Sequence, residues 1–354
     1  MKKQLILTLL IAIVGVGCLQ AQEQKKAYLV TGIGFYNLEN LFDTLVDPDP
    51  NKILQDDFTP KGKKGWTSEH YKEKLGNMAK VISELGTETT PDGVAILGVC
   101  EVENKSVLDD LVKSENIKSR NYQVVHYDSP DRRGIDVGLL YNPKYFKVTS
   151  SKSFSLRSID TTFYTRDQLL VTGELNGEEV HVIVAHWPSR RGGEKRSKPR
   201  RASAAKLGRM IIDSLQAHNP NAKVFYMGDL NDDPVDESVK KHLKGNGKKE
   251  KLAENGLFNP WESYYKKGIG TLAYRDAWNL FDQIMVSKPL LGKDYSSFKL
   301  YKSKIYSKPY LKSTEGKYKG YPYRTYSFGT YVGGYSDHFP VYMFLIKEQG
   351  GALK

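Results

Sequence analysis

The chain has 354 residues, of which 39% are hydrophobic and 27% are charged. This length and composition exclude a disordered or fibrous protein and are typical of one large globular domain or two smaller ones. The formal net charge of +12 favours polyanionic partners, such as nucleic acid or anionic lipid headgroups.

Residues 1–21 have the three regions of a secretory signal peptide. Two lysines follow the initiator methionine, residues 5–16 are apolar, and small or polar residues continue to Ala21. We therefore expect cleavage after Ala21 and a periplasmic or secreted protein. The alternative is a lipid anchor on Cys18, although Gly15 stands three positions before it, where a lipoprotein leader has a large aliphatic residue.

Removal of the leader leaves Cys100 as the remaining cysteine, so the mature protein can form no internal disulfide. It also removes two lysines and no acids, which lowers the net charge from +12 to +10. Eight basic residues lie between Arg190 and Lys206 against a single acid, Glu194. A second basic segment, 299–326, interleaves eight cations with seven tyrosines.

Strands and helices are predicted to alternate along the mature chain. Short apolar runs predict strands at Tyr28–Tyr36, Val94–Cys100, Tyr122–Tyr127, Asp136–Tyr141, Leu169–Leu175, Val180–Ala185, Lys223–Met227, Gln283–Val286 and Val341–Ile346. Apolar residues at helical spacing predict helices at Ser68–Leu85 and Arg201–Leu215. Polar stretches that contain glycine predict surface loops at Asp47–Gly65, Gly245–Gly270 and Lys302–Lys319.

The first candidate functional residues follow predicted strands. Asn37 ends the first strand, Glu101 follows a buried apolar run with Glu103 two residues on, and His186 follows a third run. A carboxylate at a sheet edge suits Mg²⁺, and a histidine beside a basic loop can protonate a leaving oxygen. Each also has an ordinary explanation: a capped turn for Asn37, a solvated strand end for Glu101 and a structural role for His186.

The second group lies in the C-terminal half. Asp229 and Asn231 are two residues apart, which in a strand directs both side chains to one side, although Gly, Asp and Asn also favour turns. Asp282 begins a strand and can fix the tautomer of a histidine. Asp337 and His338 precede the last strand. Because these residues come from both halves, we expect one domain at 22–354, with a core at about 30–346.

In this order, and with the segments Met227-Gly-Asp-Leu-Asn231, Ser336-Asp-His338 and His186-Trp-Pro-Ser-Arg-Arg-Gly-Gly193, the chain resembles the endonuclease/exonuclease/phosphatase superfamily. The segment Arg132–Tyr141, together with the leader and the segment that begins at His186, looks most like secreted bacterial nucleases of that group and uncharacterised relatives of them. The resemblance implies a four-layer α/β/β/α sandwich of two mixed, mainly antiparallel sheets. Leu230 in place of the commoner Phe, and Cys100 in place of Gln, depart from the family pattern without removing a catalytic group.

The resemblance also implies a role for each residue. Asn37, Glu101 and Asp337 would lie at the Mg²⁺ site, which Mn²⁺ or Ca²⁺ could also fill. The catalytic residues would be Asp229 for the attacking water, Asn231 for the scissile phosphate, Asp282 paired with His338, and His186 as a second histidine. Arg166 would contact phosphate, and Arg190 and Arg191 lie in the basic loop that could do the same.

The implied activity is an exported Mg²⁺-dependent phosphodiesterase, a nuclease of little sequence preference that acts on DNA or RNA by in-line attack of water. We expect a monomer without a membrane span. One alternative keeps the chemistry but acts on sphingomyelin or on inositol or sugar phosphates. Another is a non-catalytic binding protein of the same fold, against which the full set of acidic and histidine positions argues.

Overall fold

The computed structural model describes residues 26–49, 52 and 55–349, so the predicted signal peptide and the lipid anchor on Cys18 lie outside the described residues. The strands are β1 (Tyr28–Leu41), β2 (Val94–Val102), β3 (Gln123–His126), β4 (Asp136–Tyr141), β5 (Phe146–Phe154), β6 (Gln168–Leu175), β7 (Glu178–His186), β8 (Val224–Asp229), β9 (Gly245–Asn246), β10 (Leu257–Phe258), β11 (Leu272–Tyr274), β12 (Ala277–Asn279), β13 (Asp282–Ser287), β14 (Lys299–Ile305), β15 (Tyr326–Ser327), β16 (Thr330–Tyr331) and β17 (Val341–Glu348). The α-helices are α1 (Ser68–Glu84), α2 (Lys105–Val112), α3 (Glu194–His218) and α4 (Trp261–Tyr265). Short 3₁₀ helices lie at Gln55–Phe58, Lys118–Arg120, Leu156–Ser158, Lys249–Lys251, Lys288–Leu290, Pro309–Leu311 and Gly316–Tyr318, and a π-helical turn at Ser238–His242.

Two large sheets form the centre of the fold. The first has the strand order β14-β17-β1-β2-β4-β3, and the second β5-β6-β7-β8-β13-β10-β9. The pairs β1/β2, β7/β8 and β9/β10 are parallel, whereas the other described pairs are antiparallel. Both sheets are therefore mixed and mainly antiparallel, as predicted.

Three apolar clusters separate four layers. The innermost contains Phe35 of the first sheet and Phe225 of the second, which pack between the sheets. Helices α1 and α2 cover the outer face of the first sheet, where Ile82 and Leu108 pack in one cluster. Helix α3 covers the second sheet through residues such as Ile211. This arrangement confirms the α/β/β/α sandwich, and burial of these apolar faces is the main force that stabilises it.

Alternation of side chains along the central strands determines which polar residues reach the space between the sheets. In β8, Met227 lies in the inner cluster, so Asp229, two residues further along the strand, faces the same side. The same alternation applies to Asn37 in β1, His186 in β7 and Asp282 at the start of β13. Four polar side chains are thus brought to one end of the apolar interior.

The prediction of a surface loop at Lys302–Lys319 was partly wrong, because Lys302 to Ile305 belong to β14. This strand pairs with β17 at the edge of the first sheet and is largely half-buried or exposed. It alternates lysine with other residues and has no apolar run, so it lacks the usual signal of a strand. Strand β5, at an edge of the second sheet, was missed for the same reason.

Helix α3 begins at Glu194, seven residues before the predicted start at Arg201, and continues through Pro199. Proline inside a helix removes one backbone hydrogen bond, which is why the sequence favoured a later start. Arg201 is fully buried and its Nε lies 2.6 Å from Asp232 Oδ1, so a tertiary ion pair holds this part of the helix in place. None of the helices in the described part of the chain has the length and apolar composition needed to cross a bilayer.

Gly228 permits the close pairing of β7 and β8 just before Asp229. A Cβ atom added at Gly228 would lie 2.0 Å from the carbonyl oxygen of Ala185, a backbone atom that cannot move away freely. We expect Gly228→Ala to lower the free energy of unfolding by about 3 kcal/mol or more, because it overpacks the sheet. Urea denaturation followed by circular dichroism measures this change.

Gly76→Ala is the matched control for this prediction. Gly76 lies inside α1, where an added Cβ meets nothing within 4 Å. This substitution should raise the free energy of unfolding by up to about 1 kcal/mol, because alanine is the better helix former. Equal stability of the two variants would contradict the close approach described for Gly228.

Candidate active site

Asp229 is the central carboxylate of the site. It is 2% exposed and lies at the end of β8, directly opposite His186 of β7 and Asp282 of β13 in the hydrogen-bonded register. Its Oδ2 lies 3.2 Å from Asn37 Nδ2, 3.5 Å from His186 Nε2 and 3.9 Å from His338 Nε2. Asp229 therefore joins side chains from both sheets.

Burial raises the pKa of Asp229 above its ordinary value, and the nearby carboxylate of Asp282 adds to this effect. The positive charge of His338 and the backbone N–H of Asn231 oppose it. Like charges on directly opposed strand residues are unfavourable, so Asp229 and Asp282 need the histidine cation beside them. A divalent cation at this position would likewise favour the ionised form of Asp229.

Glu101 reaches the site through an irregularity of β2. Its φ is +59°, and the register between β2 and β4 shifts between Cys100 and Val102. Such a bulge redirects one side chain without moving the rest of the strand. The Glu101 carboxylate accepts a hydrogen bond from Asn40 N at 3.1 Å, and Arg133 Nη2 lies 3.8 Å from its Oε2. Glu103 instead accepts from Asp43 N at 2.7 Å, so Glu101 is the carboxylate of the site.

His186 is buried at the end of β7. Its Nε2 lies 3.5 Å from Asp229 Oδ2 and 3.9 Å from Glu101 Oε1, and its Nδ1 has no hydrogen-bond partner among the described residues. Burial lowers the pKa of His186 well below its ordinary value, and the charges of Arg166 and Arg133 lower it further. The imidazole is therefore neutral, and it can donate one hydrogen bond or offer a lone pair.

His338 has the opposite protonation preference. Its Nδ1 lies 2.7 Å from Oδ2 of the fully buried Asp282. Burial alone would lower the pKa of His338, but the carboxylates of Asp282 and Asp229 outweigh that effect and raise it well above the ordinary value. Ser336 holds the loop, because its hydroxyl donates to Asn37 O at 2.8 Å and accepts from His338 N at 3.1 Å. The two histidines therefore carry different charges at neutral pH.

The two predicted asparagines are both held by several hydrogen bonds. Asn37 donates to Asp229 from Nδ2, and its Oδ1 accepts from Glu39 N at 2.8 Å. Asn231 lies beyond the end of β8 with φ +50°, so a turn, and not the predicted strand alternation, directs its side chain. Its backbone N–H donates to Asp229 Oδ1 at 3.0 Å, and its Nδ2 donates to Trp187 O at 3.0 Å.

Asp337 lies at the rim of the site. Its Oδ2 accepts from Arg324 Nη2 at 2.7 Å, and its Oδ1 lies 4.0 Å from His338 Nε2. Its place on the metal stays a prediction, because its ligand atoms are outside the compact group described below. Arg324 itself was noted in the sequence only as part of a basic, tyrosine-rich segment.

A buried ion cluster beneath the rim was not foreseen. Glu39 accepts from Thr325 N at 2.7 Å and lies 3.4 Å from Arg324 Nε and 4.0 Å from Lys74 Nζ. Lys74, fully buried on α1, donates to Thr325 Oγ1 and Tyr335 O. Burial raises the pKa of Glu39 and lowers that of Lys74. The cluster connects α1 to the loop that carries His338. In the sequence, its one signal was a lysine, Lys74, at an apolar position of the predicted helix.

The predicted phosphate-binding arginines differ in their surroundings. Arg166 is buried, with Nη1 3.0 Å from Asp131 Oδ2 and Nη2 donating to Trp187 O, the carbonyl that Asn231 also uses. Arg190 donates to Asn231 O and pairs with four carboxylates, those of Glu194, Asp232, Asp233 and Asp236. Arg191 is exposed at the edge of a cavity that Arg166 also lines. Phosphate contact by all three stays a prediction.

The residues present fit a divalent cation. One ligand atom each from Glu101, His186 and Asp229 lies within 4.8 Å of the others. Two carboxylates and an imidazole suit Mg²⁺ or Mn²⁺, and the neutral state of His186 leaves a lone pair free. A second described group, His126, Asp128 and Asp136, is also compact, but Asp136 is already bonded to Ser129 and His126.

Comparison with known proteins identifies the family of this chain and solved structures of the same fold. The model of the Endonuclease/Exonuclease/phosphatase family matches residues 32–347. Solved structures that are similar include D. rerio TDP2 complexed with single strand DNA product, at 16% identity and a TM-score of 0.53 over 89% of this chain and 98% of that chain. A mannosyl-6-phosphatase of Bacteroides thetaiotaomicron is similar at 16% identity and a TM-score of 0.52, over 89% and 99%.

An endonuclease/exonuclease/phosphatase family protein from the same bacterium is 15% identical, with a TM-score of 0.53 over 92% of this chain and 100% of that chain. At these identities the likeness to solved structures establishes the fold alone. A search of curated proteins found no significant match. The family match covers the strands and the polar side chains described above, from Asn37 to His338.

Proposed function

Because this chain belongs to the Endonuclease/Exonuclease/phosphatase family of phosphoric ester hydrolases, we propose that it is an exported, Mg²⁺-dependent phosphodiesterase that cleaves DNA or RNA with little sequence preference. The observation that carries the proposal is the convergence of Glu101, Asp229, His186 and the Asp282–His338 pair at one end of the sandwich. Export rests on the predicted leader alone.

The described side chains divide the work of hydrolysis. Asp229, central and strongly hydrogen-bonded, would accept a proton from the attacking water and orient it. His338, held positive by Asp282, would stabilise the negative charge that develops on the phosphoryl oxygens. His186 would donate a hydrogen bond to the leaving oxygen, and Glu101 would hold the cation. When bound, the cation supplies Lewis-acid stabilisation of the phosphate.

Two clefts beside the site favour an extended substrate. The arginine cleft has a volume of about 420 Å³ and six arginines in its lining: Arg132, Arg133, Arg166, Arg191, Arg196 and Arg200. The aromatic cleft has a volume of about 890 Å³ and includes Tyr274, Tyr318, Tyr321, Tyr323 and Phe328 beside four cations. Arg133 connects the first cleft to Glu101, and Arg324 connects the second to Asp337.

A nucleic acid strand could place phosphates against the cations and bases against exposed rings on either side of the scissile bond. Phe328 is 87% exposed and Tyr274 63% exposed, so both rings are accessible for stacking. A sugar phosphate is too small to need both clefts, and this difference favours the polymer over a small monoester. The complex of D. rerio TDP2 with a single strand DNA product is compatible with such a substrate on this fold.

Metal removal is the first test of the proposed function. We expect the purified mature protein to cleave plasmid DNA, single-stranded DNA and RNA with Mg²⁺, and EDTA to lower the rate at least about a hundredfold, because the cation supplies several kcal/mol of charge stabilisation. Added Mg²⁺ or Mn²⁺ should restore the rate. Gel assays measure cleavage of the three nucleic acids. Release of choline phosphate from sphingomyelin vesicles and of inorganic phosphate from mannose 6-phosphate measures activity on the alternative substrates.

Hydrolysis of only sphingomyelin or sugar phosphates would replace the nuclease proposal with the alternative substrates. Cleavage of DNA that persists in both Asp229→Ala and His338→Ala would overturn the mechanism. Loss of activity in these two variants, with normal circular dichroism, would support it.

A further inference from the structure

The arginine cleft carries an unusual excess of positive charge. Its lining contains six arginines and one acid, Asp131, which is already paired with Arg166. Arg132, Arg191, Arg196 and Arg200 form no ion pair with any described residue. A concave surface with this charge concentrates anions, since low-dielectric walls strengthen the local field.

Aromatic contacts orient two of these arginines without consuming their hydrogen-bond donors. The Arg200 guanidinium carbon lies 4.2 Å from the centre of the Phe163 ring, and that of Arg132 lies 5.3 Å from the Tyr164 ring. Phe163 and Tyr164 both line the cleft. A guanidinium that packs on a ring keeps its N–H groups free for a phosphate.

Further donors face the same cavity. Helix α3 has 25 residues, and its N-cap, Gly193, provides no side-chain hydrogen bond to the backbone N–H groups at this end of the helix, where Glu194 is the acid of the first turn. Arg196 and Ser197 of this turn line the cleft. Independently, the buried Thr165 lines the cleft and is 2% exposed. Its Oγ1 has no hydrogen-bond partner among the described residues, and neither has Nε of Arg166, which also lines the cleft.

We propose that the arginine cleft is a second phosphate subsite, which binds the phosphodiester group adjacent to the scissile one in a nucleic acid strand. The inference rests on the proposed nuclease function and deepens it. Arg133 and Arg166 form the wall shared with the catalytic residues: Arg133 lies beside Glu101, and Arg166 shares the Trp187 carbonyl with Asn231. The substrate is thus a chain with at least two consecutive phosphates.

Dinucleotides that differ only in a terminal phosphate provide the test. Thymidylyl-thymidine without a terminal phosphate is compared with the 5′-phosphorylated and the 3′-phosphorylated forms, as kcat/KM with Mg²⁺. We expect one phosphorylated form to be cleaved about tenfold more efficiently, because charge-assisted hydrogen bonds to phosphate are strong. In the double variant Arg196→Gln/Arg200→Gln this ratio should fall to near one.

The double variant Lys113→Gln/Lys251→Gln is the charge-matched control, since both lysines are exposed and line neither cleft. It should keep the ratio of the wild-type enzyme. On long single-stranded DNA, log kcat/KM falls with log salt, and this negative slope should become shallower by about 0.7 in the arginine variant, the contribution of one lost phosphate contact. The control variant should keep the slope of the wild type.

The outcomes separate the two proposals. Cleavage of all three dinucleotides at equal rates by the wild type would overturn the subsite and leave the nuclease function intact. A ratio that survives in the arginine variant would also overturn it. No cleavage of any dinucleotide or of DNA would overturn the proposed function itself.

Discussion

Asp229→Asn should lower kcat/KM for phosphodiester cleavage by about 10³-fold or more, since it removes the central negative charge of the site, which contacts side chains from both sheets. The amide has nearly the same shape but a single acceptor oxygen, so it can keep the hydrogen bond from Asn37 or the one from the backbone of Asn231. It cannot accept a proton from water or balance the positive His338, which lies 3.9 Å away. Steady-state kinetics on a fluorescent oligonucleotide measures the loss.

The same variant should not be less stable in the metal-free form at pH 8. Because burial raises the pKa of Asp229, the neutral form stabilises the fold below the unfolded-state pKa, and that contribution is lost as pH rises through the folded-state pKa. Asparagine stays neutral throughout, so its free energy of unfolding at pH 8 should equal or exceed that of the wild type. Buried catalytic charges often show this opposition of activity and stability.

Asp109→Asn serves as the control for both measurements. Asp109 is an exposed acid of α2 that pairs with Lys105 at 2.7 Å. Its substitution should change neither kcat/KM nor stability by a large amount, because exposed ion pairs contribute less than about 1 kcal/mol. Near-wild-type activity of Asp229→Asn would contradict the role assigned to Asp229.

Asp282→Asn should lower kcat by about 10²- to 10⁴-fold and should also change the pH profile. Asp282 accepts a hydrogen bond from the protonated Nδ1 of His338 at 2.7 Å. The charge of Asp282 is one reason that the pKa of His338 is raised. Burial lowers the pKa of His338, and without the charge of Asp282 fewer carboxylates raise it. His338 therefore loses its proton at a lower pH. The alkaline fall in activity should therefore move to lower pH than in the wild type.

Rate measurements from pH 5 to pH 10 with saturating Mg²⁺ test this shift. His338→Ala should be at least as impaired as Asp282→Asn and should lack the alkaline limb that belongs to His338. An alkaline limb at the same pH in Asp282→Asn and in the wild type would show that Asp282 does not act through the charge of His338. The double variant should be little worse than His338→Ala, because residues that act as a unit are not additive.

Several parts of the site follow from local rules. A residue two positions beyond a buried apolar residue faces the same side of a strand, which places Asp229 after Met227 at the inner face. His186 and Asp282 follow the same rule on the neighbouring strands. The four-layer sandwich, which the resemblance to the family implied, was confirmed, and its apolar strands and amphipathic helices bury their faces against one another.

Other parts depended on contacts between distant segments. The bulge that directs Glu101 inward has no signature in its apolar surroundings, and Asn231 is oriented by a turn whose residues would suit a strand end equally well. Arg190, which looked like a free cation in a basic run, pairs with three aspartates that come about forty residues later. Basic residues of the same run therefore differ in whether their charges are already paired or can bind a phosphate.

The amino-acid sequence by itself determined the apolar periodicity, the chemical types of the candidate site residues and their positions at strand ends, because these depend on neighbours within a few residues. Only the tertiary structure decided the protonation states of His186 and His338, the burial of Lys74 and Glu39, and the division of the arginines between ion pairs and an open cleft. These properties depend on burial and on charges that approach within a few ångströms from remote parts of the chain, and Coulomb interactions at that range are set by distance in space.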